Sequence, residues 1–309
     1  MNLQQLKVFV LTVKLKSLSL VAAELQIKQP TVTFHLNKLQ EYCGVPLFIT
    51  QSYHVLQLTE EGRALYRYAQ QVTALTDDMH AMMEGYRQQP GGVIAIGSTH
   101  TPATYLLPPL LKAYKKDHPA VRIALEVKTA PVLLDKIRHY ELDCGLVSFD
   151  KLEDSELEVT ASLQDDLILV CPPGHPLLAE DELTPERIAA YPFVSHETES
   201  VSRRLIEGWA AQHGVKLSLA MEVSSTETMK EMIRSGLGVG ILSELSVQRD
   251  IGQGRLVGRS LPGASFGRRI FLVHHKKKLL SPAMHRFLSM LRSDAFGVHS
   301  PDLVSQGRS

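Results

Sequence analysis

The stretch at residues 19–40 constrains the fold most, because its spacings predict two short helices joined by a tight turn. Ser19 can cap a first helix in which Val21 and Leu25 recur at helical spacing. Pro30 suits the first turn of a second helix, because its missing N–H would have no partner there in any case. This pattern predicts a helix-turn-helix, whose second helix lies in the major groove of DNA.

The second helix has one apolar face and one face suited to nucleic acid. Val32, Leu36 and Leu39 follow at gaps of four and three, so they predict a buried stripe. Side chains able to touch phosphates, base edges or thymine methyls occupy the rest of the helix and a predicted hairpin wing after it. The predicted DNA contacts are Lys28, Gln29, Pro30, Thr31, Thr33, Phe34, His35 and Lys38, with Gln51, Ser52 and Tyr53 in the wing. Taken alone, the two helices fit a simple packing hairpin equally well.

Several further motifs accompany these helices, in a fixed order and spacing, across about the first sixty residues. The pieces that carry it are Ala22-Ala23, Gln29-Pro30-Thr31-Val32-Thr33, Gly44-Val45-Pro46-Leu47-Phe48 and Leu58-Thr59-Glu60-Glu61-Gly62. In order and spacing they resemble the N-terminal winged helix-turn-helix domain of LysR-type transcriptional regulators. The resemblance implies a small-molecule effector, a homotetramer built from two dimers, bent DNA and contact with RNA polymerase.

Composition fits this class of protein. A chain of 309 residues with 44% hydrophobic and 21% charged residues is typical of an ordinary soluble protein of two or three domains. The apolar run at residues 8–13 is too short to cross a bilayer and lacks a cleavage site, so we expect a cytoplasmic protein without a membrane partner. The net charge is zero overall, but residues 1–58 hold five lysines and two glutamates, a local charge of +3 that favours DNA.

A long helix is predicted over residues 59–90, with Thr59 as its cap and acidic residues in its first turn. Apolar residues recur along it at alternating gaps of three and four, and such a stripe needs a partner helix. They are Leu65, Tyr68, Val72, Leu75, Met79, Met82 and Tyr86. The prediction is a linker helix that forms a homodimer and sets two recognition helices on an inverted-repeat site; the alternative is a core helix of a monomer.

After residue 91, short apolar runs alternate with helical patterns, which predicts an α/β fold with a parallel sheet flanked by helices. With a DNA-binding domain at residues 1–58, we expect an effector-binding domain at residues 91–295 and a flexible tail at 296–309. Its two lobes are predicted at about 91–161 with 268–295 (lobe I) and about 162–267 (lobe II). The resemblance implies a likeness to type 2 periplasmic binding proteins.

Polar loops follow the predicted strands, and ligands of open α/β sheets bind at such carboxyl ends near helix N-termini. The predicted effector contacts are Ser98, Thr99, His100, Thr101, Thr129, Ser148, Phe149, Ser195, His196, Glu197, Ser225 and Thr226. The alternative for each Ser or Thr is an ordinary helix cap. Arg and Lys are absent from these loops, although Arg203 and Arg204 lie close to the loop of lobe II. The expected effector is a small polar or anionic metabolite held by N–H groups, hydroxyls and imidazoles, with no cofactor.

Other chemistries find little support in the sequence. Cys43, Cys144 and Cys171 show neither a disulfide nor a zinc spacing, and the histidines offer no metal-ligand pattern. The glycines at residues 236–240 follow a predicted helix, so they indicate a helix-to-strand turn and not a phosphate loop. We expect that the protein is not an enzyme. The alternative function is a solute-binding protein or an enzyme on the same two-lobed fold, which the first ninety residues argue against.

The chain departs from the family pattern at Phe34, where relatives commonly carry arginine, and in a wing that is not basic near Thr50 and Gln51. A guanidinium–guanine contact, worth roughly 1–3 kcal/mol of discrimination, is therefore missing at Phe34. Its ring can instead pack against a thymine methyl. We predict an A·T-leaning half-site and a shallow dependence of binding on salt.

Overall fold

The computed structural model describes residues 1–49, 57–87, 92–264 and 266–297. The N-terminal unit contains three helices: α1 (Leu3–Leu15), α2 (Leu18–Glu24) and α3 (Gln29–Cys43). They enclose a core that includes Phe9, Val32 and Leu39. The buried stripe predicted for α3 is therefore confirmed.

The cap of α2 differs from the prediction. Ser17 and not Ser19 caps it, because the helix begins at Leu18, which packs against the core. The Ser17 hydroxyl accepts a hydrogen bond from the Leu20 N–H at 3.4 Å. Ser19 lies inside α2, and its hydroxyl donates to the Gln29 side chain at 3.2 Å.

A two-stranded wing follows the helices. β1 (Phe48–Ile49) pairs antiparallel with β2 (Gln57–Leu58). The wing residues between these strands, Gln51, Ser52 and Tyr53 among them, lie outside the described residues.

The helix α4 (Glu60–Arg87) has 28 residues and is therefore about 42 Å long. The Thr59 hydroxyl caps it, accepting from the Gly62 N–H at 2.9 Å. Gly62 is required for packing, because a Cβ there would stand 2.2 Å from the carbonyl oxygen of Leu47. Leu65 packs against the N-terminal core, so this predicted dimer residue is already partly covered within the chain.

Further along α4, apolar side chains are exposed to solvent. The α4 stripe, as we call it, consists of Tyr68, Val72, Leu75 and Met79. The side chains of Met82 and Tyr86 lie outside the described residues. Within the described ranges, no helix is both long and apolar enough to cross a membrane.

Lobe I begins with strands and helices in alternation. In chain order they are β3 (Gly92–Ser98), α5 (Leu107–Asp117), β4 (Val121–Val127), α6 (Ala130–Arg138), β5 (Cys144–Phe149) and β6 (Leu157–Gln164). Strands β4, β3 and β5 are parallel, as predicted. A π-helical turn (Pro102–Leu106) precedes α5.

Lobe II is built around two small sheets. Its strands are β7 (Leu167–Cys171), β8 (Pro192–His196), β9 (Ser218–Val223), β10 (Gly240–Ser243) and β11 (Val257–Arg259). Its helices are α7 (Pro185–Ala189), α8 (Val201–Gln212), α9 (Thr226–Arg234) and α10 (Glu244–Gly252). β10 and β11 flank β7 in antiparallel pairing, and β8 pairs in parallel with β9. The glycines between α9 and β10 form the predicted helix-to-strand turn.

The chain then returns to lobe I through β12 (Arg269–His275) and α11 (Pro282–Met290), as expected. β12 inserts between β5 and β6 and runs antiparallel to both, so the sheet is mixed and not wholly parallel. β6 was not predicted, although Leu157, Val159, Ala161 and Leu163 alternate with polar residues along it. In the sheet, a bulge opposite Leu272 and Val273 interrupts the pairing, so that Val159 is exposed while Ala161 is buried.

Candidate ligand cleft and nucleic-acid interface

A cleft with a volume of about 80 Å³ lies between the two lobes. The predicted residues that line it are Thr99, His100, Thr101, Thr129, Ser148, His196, Glu197 and Thr226. Loops that are far apart in sequence therefore meet at one place. The expectation that the polar strand-end loops converge holds for most of these positions.

Four predicted contacts lie elsewhere. Ser98 is fully buried, and its hydroxyl donates to backbone carbonyls, including that of Leu146 at 3.3 Å. Ser195 lines a separate groove beside α8, because side chains alternate along β8 and its neighbour His196 takes the cleft side. Ser225 caps α9, accepting from the Thr228 N–H at 3.3 Å. Phe149 lies outside the lining and carries the Arg204 guanidinium over its ring at 5.6 Å.

Two hydrogen bonds join the strand-end loops on the lobe I wall of the cleft. The Thr99 hydroxyl donates to the Ser148 hydroxyl at 3.1 Å and accepts from the Ser148 N–H at 3.0 Å. Thr129 stands at the start of α6 but makes no capping hydrogen bond with its side chain. The first turn of α6 thus keeps uncapped N–H groups at the edge of the cleft, which favours negative charge there.

Arg268, which sequence reasoning missed, is a buried cationic side chain in the lining of the cleft. It is 3% exposed and lies just before β12, where the chain crosses between the lobes. Its Nη1 donates to the Asp165 carboxylate and its Nη2 to the Thr101 hydroxyl at 3.3 Å. Its Nε–H has no acceptor within the described part of the chain. A buried donor without a partner is costly, so a bound acceptor would be stabilised here.

Other cationic side chains near the cleft differ in whether they form ion pairs. Lys128 lines it beside Thr129 and was also missed by sequence reasoning. Arg203 and Arg204, which follow the second-lobe loop, are engaged with Glu207 at 2.5 Å and Asp150 at 3.1 Å. The Arg204 pair joins lobe II to lobe I, because Asp150 follows β5.

His196 is a neutral group in this setting. Burial lowers its pKa to about 4, and the positive charges of Arg268, His100 and Arg203 act in the same direction. The imidazole is therefore uncharged near neutral pH and offers one hydrogen-bond donor and one acceptor.

The cysteine thiols offer little reactivity. Cys144 lies in β5 of lobe I and Cys171 in β7 of lobe II, and both are buried. Burial raises the pKa of Cys144 well above its ordinary value and that of Cys171 to about 12. Both groups are protonated thiols at neutral pH, and thiols are poor nucleophiles.

The face of α3 that is turned away from the core carries the predicted DNA contacts. Its exposed members are Lys28, Gln29, Pro30, Thr33, Phe34 and Lys38, with Thr31 and His35 half-buried beside them. The Phe34 side chain is 56% exposed, and its ring meets that of His35 edge-on, with centroids 5.7 Å apart. Lys38 is paired with Glu41 at 2.6 Å, which weakens its positive field. This surface therefore presents an aromatic ring at its centre and modest charge.

Two family models match successive parts of the chain. The model described as bacterial regulatory helix-turn-helix protein, lysR family, matches residues 3–63. The model described as LysR substrate binding domain matches residues 87–295. The RuBisCO operon transcriptional regulator of Allochromatium vinosum is 27% identical over 298 residues, covering 96% of this chain and 98% of that protein.

Solved structures show the same fold over nearly the whole length. A full-length OxyR variant from Pseudomonas aeruginosa superposes with a TM-score of 0.70 at 20% identity, covering 94% of this chain and 93% of that one. Full-length CbnR in complex with its target DNA gives a TM-score of 0.60 at 19% identity, covering 94% and 99%.

Proposed function

The chain belongs to the LysR family of transcriptional regulators, with a helix-turn-helix domain and an effector-binding domain, and from this we propose that a small anion in the interlobe cleft controls its action on promoter DNA. The observation that carries the proposal is Arg268, a buried guanidinium whose Nε–H lacks an acceptor among the described residues. We infer that the cleft serves recognition and not catalysis.

Size and charge narrow the class of effector. A cavity needs roughly 10–15 Å³ to hold one water, so a cleft of about 80 Å³ has room for roughly five to eight non-hydrogen atoms. Asp165 pairs with Arg268, and Glu197 and Glu199 also line the cleft. Positive potential is therefore expected on the lobe I side, where Lys128 and the uncapped N-terminus of α6 lie. We therefore propose an inorganic oxyanion or a small carboxylate. A neutral polar metabolite is the competing class.

Calorimetric titration tests this assignment. The panel contains sulfate, phosphate, bicarbonate and small carboxylates at constant ionic strength, against neutral polyols of similar size. At least one anion should bind the wild type and fail to bind Arg268→Lys, which keeps the charge but loses the guanidinium donors. Arg269→Lys is the matched control, because the Arg269 guanidinium bonds to Ser162 and Gln164 on β6, outside the cleft lining.

Two results would refute the anion assignment. One is binding of a polyol with no response to any anion; the other is equal anion binding by the Arg268→Lys and Arg269→Lys variants. Since Arg268→Lys disturbs the Asp165 contact, Thr129→Val serves as a second cleft variant that leaves this ion pair intact.

We further propose that the exposed face of α3 contacts promoter DNA and that the α4 stripe forms a homodimer. Two α3 helices held by α4 then meet two half-sites of an inverted repeat. A tetramer of two dimers, contact with RNA polymerase and a cytoplasmic location complete the proposal. The domain limits 1–58, 59–90 and 91–295, with lobes at about 91–161 with 268–295 and about 162–267, belong to it as well.

A further inference from the structure

The DNA-binding unit contacts lobe I of its own chain. The Lys14 Nζ, near the end of α1, lies 3.2 Å from the Glu141 Oε1, just beyond α6. Beside this ion pair is a cavity of about 290 Å³ whose walls come from α1, from α4 and from His139 and Tyr140 of lobe I. Tyr66 of α4 lies near the same contact between α1, α4 and lobe I. Burial, and then the carboxylates of Glu141 and Asp135, raise the pKa of Tyr66 to about 12.

The turn that makes this contact has an unusual backbone. α6 ends with Tyr140 in the left-handed conformation, at φ 59°. The Tyr140 N–H donates to the Ile137 carbonyl at 3.1 Å and the Glu141 N–H to the Lys136 carbonyl at 2.9 Å, which is a Schellman ending. Glycine normally occupies this position, because a side chain makes the left-handed conformation unfavourable. Here the Tyr140 ring packs on His275 with centroids 4.3 Å apart and also lines the cavity beside α1. The unfavourable backbone conformation therefore occurs at a residue whose side chain makes both of these contacts.

α6 joins this turn to the effector cleft. Thr129, Ala130 and Pro131, at its N-terminal end, line the cleft, and the His139–Glu141 turn at its C-terminal end meets α1. A helix of nine residues is about 14 Å long, so the two sites are close. Leu133 and Ile137 are fully buried against the sheet, and α6 must therefore move with lobe I as one body.

We propose that the turn formed by His139, Tyr140 and Glu141 is a docking surface for α1 of the same chain, and that α6 couples this docking to the state of the cleft. The docking follows from the contacts alone. The coupling rests on the function proposed above, because it assumes that the cleft receives an effector and that α1 belongs to a DNA-binding domain. By reciprocity, DNA bound by that domain must alter the cleft.

Zero-length carbodiimide cross-linking of the full chain tests the docking without DNA or effector. This reagent joins a lysine to a carboxylate that it already touches. A Lys14–Glu141 cross-link should be found by peptide mass spectrometry in chains that still migrate as monomers after denaturation. The matched control is the Lys7–Asp77 pair, 3.0 Å apart and equally accessible on the lysine side, which joins α1 to α4. A Lys7–Asp77 cross-link without the Lys14–Glu141 product overturns the docking surface.

Hydrogen exchange tests the coupling. The probe is the DNA upstream of the protein's own gene, and the readout is the exchange of the amides of residues 129–132 at the cleft end of α6. DNA should change that exchange in the wild type. Lys14→Glu and Glu141→Lys should each abolish the change, and the double variant, in which the charges are exchanged, should restore it.

The outcomes separate this inference from the proposed function. If DNA binds but the exchange at residues 129–132 is unaltered, or if the single variants respond like the wild type, the coupling is refuted and the DNA-binding function stands. If the wild type does not bind this DNA, the proposed function fails and the coupling fails with it. The cross-link still decides the docking in that case.

Discussion

Leu75→Ala should weaken self-association about thirtyfold, because Leu75 lies in the middle of the α4 stripe. Its side chain is 49% exposed in the single chain. Burying a whole leucine side chain stabilises by about 1.5–3 kcal/mol, so covering the exposed half contributes about 1 kcal/mol. A two-fold symmetric interface covers two copies. The loss is then about 2 kcal/mol, or about thirtyfold in the dissociation constant.

Sedimentation equilibrium over a range of concentrations measures this dissociation constant. The matched control is Leu279→Ala, because Leu279 is exposed to a similar degree, at 62%, but lies in the loop after β12. The control should associate like the wild type. Both variants should unfold at nearly the wild-type temperature, since neither side chain is buried in the single chain. Equal dissociation constants for Leu75→Ala and the wild type would refute the assignment of α4 as the dimer helix.

Three further predictions concern DNA choice, packing and pH. Selection from random DNA should return A·T-leaning half-sites, and Phe34→Ala should relax that preference; guanine opposite Phe34 in the wild type, lost in the variant, would contradict it. Gly62→Ala should lower the free energy of unfolding by about 1–3 kcal/mol, since its Cβ would meet the carbonyl oxygen of Leu47, whereas Gly208→Ala in α8 meets nothing within 4 Å and should be neutral or slightly stabilising in denaturant titrations. Since the fold lowers the pKa of His196 from 6.5 to about 4, the unfolded chain binds more protons between these values, and stability falls as pH falls through this window; His196→Gln should show a shallower fall in urea titrations, and identical slopes would refute this.

The spacing of apolar residues predicted those helices and strands whose buried faces are made by residues close together in the sequence. Val32, Leu36 and Leu39 form one buried stripe on α3. The cleft loops were found because parallel strands end at one edge of a sheet. β11 escaped prediction because all three of its residues are only half-buried and carry no alternation.

Arg268 was not predicted as a cleft residue for a different reason. Arg268 is separated by 103 residues from its partner Asp165 and by 167 from Thr101. Its position follows from the return of the chain through β12, which no local spacing encodes. The available sign was an arginine standing directly before the strand predicted to rejoin the first sheet.

A titration of promoter DNA tests whether Arg268 controls DNA binding. Fluorescence anisotropy with the DNA upstream of the protein's own gene is measured with and without each anion that binds in calorimetry, at constant ionic strength. We expect one anion to shift the DNA affinity or the salt dependence of the wild type and of Arg269→Lys, but not of Arg268→Lys. A shift of equal size in Arg268→Lys, or an unchanged DNA affinity with every anion that binds the cleft, would refute control of DNA binding through Arg268.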